Sequence, residues 1–131
     1  MNKSTYLVLI SIGILFVLSA CKSNSSGPDS SETFELTQFI GEWERVSSTS
    51  EDFTSCPDDP PILEISETEI YYPFTDENGC FQNWQIMEYS FDGQKFSVDA
   101  GWNFEILSHS GDQFVWNDDF EDIEETYQIV E

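Results

Sequence analysis

His109 is the only histidine in the chain, and Ser108 and Ser110 flank it. Those types suggest nucleophilic catalysis, which needs a nucleophile within hydrogen-bond reach of the base and a carboxylate to orient it. The stretch Ser108-His109-Ser110-Gly111 instead reads as a polar turn, with no strained elbow to present a serine. His109 is therefore expected to face solvent. A second candidate is the acidic run Asn117-Asp118-Asp119-Phe120-Glu121-Asp122-Ile123-Glu124-Glu125. A calcium loop of the EF-hand type needs glycine at its sixth position, and here that position is Asp122. A looser surface calcium site and a solvated hairpin end are the two readings left, and the second is the simpler. Two carboxylates flanking a glycosidic bond would hydrolyse it, yet among 26 acidic residues no pair stands out. No catalytic residue, metal ligand or cofactor is assigned, and a non-enzymatic protein is expected.

The remaining chemistry lies in three cysteines, Cys21, Cys56 and Cys80. Cys21 closes a distinctive N-terminus. One positive charge, Lys3, precedes an apolar run over residues 6–18, and then Ser19-Ala20-Cys21 follows. A charge, a short apolar run and small residues form the secretory layout, and the run falls short of the roughly 20 residues that span a bilayer. Leu18-Ser19-Ala20-Cys21 resembles the bacterial lipobox. That resemblance implies cleavage after residue 20, diacylglycerol on the Cys21 thiol and acylation of its new amine. More than one chain is needed for stable anchoring. Lys22, rather than an aspartate, follows the cysteine, which directs the expected anchor to the outer membrane of a cell envelope.

Once Cys21 is lipidated, Cys56 and Cys80 form an even set in an oxidising compartment, where pairing is the expected fate. A reactive thiol would need a nearby cation or histidine, whereas Cys56 sits between Glu51-Asp52 and Asp58-Asp59. The loop a bridge would close is worth about 3.5 kcal/mol in chain entropy.

Residues 21–131 hold Lys22, Arg45 and Lys95 against all 26 acids, a formal charge of −23. Such a surface repels nucleic acid and anionic headgroups, so nucleic acid is not an expected partner. High charge accompanies disorder only where aromatic and β-branched residues are scarce. Phe, Tyr and Trp recur here from residue 39 to residue 127, enough to build a core beneath a solvated acidic face.

The elements that would position these residues are short. Ser, Gly and Pro over residues 22–31 leave nothing to pack, so residues 21–35 read as the lipidated cysteine and a flexible tether. Leu36, Phe39 and Ile40 have the spacing of one or two amphipathic helical turns, and Gly41 ends them. From Trp43 onward, apolar–polar runs alternate with turn residues. Strands are expected near 42–47, 62–65, 70–72, 81–91, 96–98, 102–106, 114–116 and 123–130. Asp92-Gly93 marks one hairpin. About eight strands with turns every 8–12 residues fit an all-β barrel or sandwich, and consecutive hairpins favour an up-and-down antiparallel arrangement. The single long connection, residues 48–61, carries Cys56, which would tie it to the turn at 78–81.

Residues 36–131 resemble the lipocalin-like domain of bacterial lipoproteins. The points of likeness are a short helix leading into Phe39-Ile40-Gly41-Glu42-Trp43, a Gly-x-Trp start to the first strand, successive hairpins, and Thr126-Tyr127 in the last strand. A cysteine before strand two and another before strand four are also similar. The resemblance implies an eight-stranded barrel with Gly41 and Trp43 closing its base. Such a barrel is filled by side chains or holds one small ligand. In a domain this short, Phe81, Trp84, Tyr89, Phe96, Trp102, Phe104, Phe114 and Trp116 are expected to serve mainly as core. The expected function is lipid-anchored binding of a small or apolar ligand; the alternative is a filled barrel presenting its acidic face to another envelope protein. An open cavity would separate the two.

Overall fold

The computed structural model describes residues 32–131. Eight antiparallel strands close into one barrel in chain order: β1 (Gly41–Ser48), β2 (Ile62–Ile65), β3 (Glu69–Thr75), β4 (Phe81–Phe91), β5 (Lys95–Val98), β6 (Asn103–His109), β7 (Gln113–Asp118) and β8 (Ile123–Ile129). All eight fall where alternation and turn chemistry placed them. Closure comes from β1 against β8, with Trp43 opposite Ile129 and Arg45 opposite Tyr127. The expected helix is a single 3-10 turn, Leu36–Gln38, because Gly41 ends it before a second turn can form.

One half of the interior is solid. Phe39, Trp43, Phe96 and Phe114 are fully buried there. Phe39 meets Phe96, Phe114 and Phe91 edge-on at 5.4–5.8 Å, a favourable quadrupole arrangement. The Trp43 indole N–H donates to the carbonyl of Phe39 at 2.7 Å, which pins the entering turn to β1. Gly41, between them, holds φ near +145°, a region that L side chains avoid. Packing reaches back to Phe34, inside the stretch assigned to the tether; it is buried, and its N–H donates to Gly93. Cys21 and the 1–20 segment lie outside the described residues.

Cys56 and Cys80 are disulfide-bonded, with Cα atoms 5.0 Å apart. The bridge holds the long loop against the β3–β4 turn, where Phe81 also donates to Asp59. Gly79 sits so close to this loop that a Cβ there would lie 1.9 Å from the Thr54 carbonyl oxygen.

Three ladders carry a bulge, and two of these, in β1 and β6, reset which face of the strand looks inward. In β1, Arg45 faces Tyr127 and Ser47 faces Thr126, so Val46 is the extra residue and is left half-exposed. In β6, Ile106 faces Trp116 and Ser108 faces Val115, so Leu107 is extra. A bulge inserts one residue and re-aims those beyond it. His109 is therefore not a solvent-facing turn residue: it ends β6 and points at Phe39 and Trp43, with ring centroids 5.2 and 6.4 Å away.

Candidate functional site

The other half of the barrel is not filled. A cavity of about 870 Å3 opens there, bounded by Arg45, Tyr72, Met87, Trp102, Asp118 and Glu125 among others. Its origin lies in strand lengths. β4 runs for eleven residues and β5 for four, and their ladder covers only Tyr89–Phe91. The preceding part of β4 pairs with β3 alone, and the wall stands open beside Trp102.

The floor of the cavity is polar. Glu125, on β8, points inward and is fully buried. Its Oε1 accepts from Arg45 Nη1 at 2.6 Å, and its Oε2 accepts from the Trp116 indole at 2.9 Å and the Tyr127 hydroxyl at 3.0 Å. The Tyr72 hydroxyl donates to both oxygens, at 3.2 and 3.3 Å. A buried carboxylate with this many donors is a satisfied group rather than an orphan. Burial, then the charge of Glu125, raises the hydroxyl pKa of both Tyr72 and Tyr127, so each remains a donor. Burial works against the charge on Arg45, but the ionised Glu125 that it pairs with outweighs it and the guanidinium pKa is raised.

Asp118 lies on the same inward face, at the end of β7, and is also fully buried. Its Oδ1 accepts from the Trp102 indole and, at 2.9 Å, from the backbone N–H of Phe120. Among the described residues no donor reaches its Oδ2, and none of their acceptors reaches the Nε of Arg45. Burial raises the Asp118 carboxyl above its ordinary value, against the hydrogen bonds from Trp102 and Phe120.

The acidic run 117–125 is thus divided. Asp119, Glu121, Asp122 and Glu124 are the solvated hairpin end that the sequence suggested, whereas Asp118 and Glu125 face the interior. Among the described residues no group of three or more His, Cys, Asp or Glu is placed to hold a metal. The aromatic candidates separate too. Phe96, Phe104, Phe114 and Trp116 are core, and Trp102 lines the cavity. Trp84 is not core: it is 47% exposed and lies over Phe81 on the outer wall. Arg45 and Tyr72 went unmarked in the sequence, and Asp118 and Glu125 were marked only as members of the acidic run. The available signal was weak: Glu125 shares its parity with Ile123 and Tyr127, and Arg45 is one of three cations beyond residue 20.

No family model, curated protein or solved structure matches the chain.

Proposed function

We propose that the chain is an envelope lipoprotein, held to a membrane by lipid on Cys21, whose lipocalin-like barrel binds one small amphipathic ligand. The observation that carries the binding half of this reading is the cavity of about 870 Å3 at one end of the barrel. Its size lies within the roughly 300–1,000 Å3 of small-molecule sites, and such sites combine apolar walls with a few placed polar groups. Tyr72, Phe74, Met87 and Trp102 supply the walls; Arg45, Asp118 and Glu125 supply the polar groups. The anchoring half rests on the Leu18-Ser19-Ala20-Cys21 sequence, with Lys22 favouring the outer membrane.

Growth with a labelled fatty acid tests the anchor. Wild type should be labelled, and Cys21→Ser should be unlabelled and unprocessed; equal labelling refutes the assignment. For the cup, Met87→Trp should block ligand uptake with little loss of stability, because it extends into open space. In a packed interior the same change would cost about 1–3 kcal/mol. That cost, without any effect on uptake, would favour the alternative of an acidic face docking another envelope protein.

A further inference from the structure

The charges around the cavity select what can enter it. Six carboxylates line it, those of Asp52, Glu88, Asp99, Asp118, Glu121 and Glu125, against the single guanidinium of Arg45. Arg45 is committed to Glu125 at 2.6 Å. The other five have no cation in the lining. Four belong to the more exposed wall and mouth, where water solvates them, but Asp118 is fully buried and its Oδ2 has no partner among the described residues. A buried carboxylate without a countercharge is costly, and a cation supplied from outside would offset that cost.

The walls near Asp118 are aromatic. Trp102 donates to its Oδ1 and lies 5.3 Å, ring centre to ring centre, from Tyr72 and 5.7 Å from Phe120. Phe120 itself is 76% exposed at the mouth. Aromatic faces attract cations, and do so more strongly where water is excluded. A fatty acid or other anion would meet the five carboxylates without a free cation to receive it, and like charges in a partly dry site repel strongly.

We propose, resting on the reading of the cup as a ligand site, that its ligand is a small amphipathic organic ammonium ion with at least one N–H. The N–H donates to Asp118, the cationic head sits among Tyr72, Trp102 and Phe120, and the apolar body fills the space toward Met87. Arg45 stays with Glu125 as the fixed floor, and the outer carboxylates draw the cation toward the mouth.

The test uses the full chain in neutral phosphatidylcholine vesicles, with empty vesicles as the blank, and probes that share one apolar body. These are 4-phenylbutylamine, 4-phenylbutan-1-ol and 4-phenylbutyrate, titrated by calorimetry. The amine should bind at least tenfold more tightly than the alcohol, and the carboxylate should not bind measurably. Asp118→Asn should remove the preference for the amine and leave the alcohol unchanged. Glu121→Gln, at the exposed hairpin, should keep most of the preference and reduce its salt dependence. Equal binding of all three probes overturns the ammonium assignment and leaves the cup standing. Binding of none overturns both. If Asp118→Asn fails to fold, amine and alcohol binding to wild type in low and high salt still decide: only the amine should weaken with salt.

Discussion

Glu125 gathers donor side chains from β1, β3, β7 and its own strand β8, so the removal of one donor cannot be offset by a local shift. Arg45→Met leaves the carboxylate buried without its cation, and a loss of about 3–5 kcal/mol is expected for breaking such a pair. Arg45→Met combined with Glu125→Gln should be more stable than the sum of the two single changes by about 1 kcal/mol or more. Strict additivity in chemical denaturation would show that the two groups do not depend on each other. The aspartates make opposite contributions to acid stability. The backbone N–H groups of Asn78 and Cys80 hold Asp76 below its ordinary value of 3.8, and those of Gln94 and Lys95 do the same for Asp92. Both stabilise the fold above about pH 3.8 and lose that contribution as pH falls through their lowered values. Asp118 is raised, chiefly by burial, so its ionised form opposes folding at neutral pH. That opposition lifts as pH drops through its folded value toward 3.8. The stability of wild type minus that of Asp118→Asn should thus become more favourable on acidification from pH 7 to 4. The same difference taken with Asp92→Asn should become less favourable below pH 3.8. Melting curves at stepped pH measure both, and a flat Asp118 difference would contradict the role given to its burial.

At the level of strands, Trp84 and Pro73 form a pair that residue types alone do not reveal. β2 and β3 pair at Glu64–Tyr71 and Ile65–Ile70, and the same register carried further sets Ile62 opposite Pro73. Proline has no N–H to give the Ile62 carbonyl. Trp84, which faces Pro73 across β3–β4, reaches over and donates its indole N–H to that carbonyl at 3.0 Å. Trp84→Phe should therefore cost about 0.5–1.5 kcal/mol although the side chain is half-exposed. In a Pro73→Val background, where the backbone N–H is restored, the cost should shrink; an equal cost in both backgrounds would sink the explanation. Strand existence was legible because alternation and turns such as Asp92-Gly93 are local signals. The bulges at Val46 and Leu107 were not, since an inserted residue leaves no mark in composition, yet each flips the parity of the residues beyond it. His109 was misplaced because its serine and glycine neighbours read as a turn, whereas β6 runs on through it and the Leu107 bulge turns it inward. Asp118 and Glu125 were hidden differently, as two inward acids within a run whose other acids are solvated.

The whole molecule carries far more negative charge than its size requires, and only two cations, Arg45 and Lys95, lie among the described residues. Arg45 is already used internally, so the outer face has almost nothing to offset its acids. Self-repulsion in the compact state should make the fold salt-dependent over a Debye length of about 8 Å near physiological ionic strength. The melting midpoint should rise as sodium chloride goes from low to moderate concentration. A flat or falling midpoint would mean that bound cations already neutralise the surface, and a calcium titration would identify them. Strand number and spacing narrowed the architecture at this scale to a barrel or a sandwich, and the lipocalin-like resemblance implied the closed barrel that forms. The half-empty interior was not legible, because it depends on the mismatch between β4 and β5, a property of pairing rather than of either segment.

Closure by the first and last strands also sets the order of events in folding. Arg45 and Glu125 are 80 residues apart in sequence, and their strands meet only in the step that shuts the barrel. Chains dominated by such distant pairings fold in milliseconds to seconds rather than microseconds. Until β8 docks, the β1 edge lacks its β8 partner and Arg45 remains hydrated; its desolvation and its pairing then occur together. Substitutions in the Arg45–Glu125 pair should accordingly speed unfolding more than they slow folding. For a chain delivered N-terminus first, β1 waits for the last strand to arrive before the barrel can close.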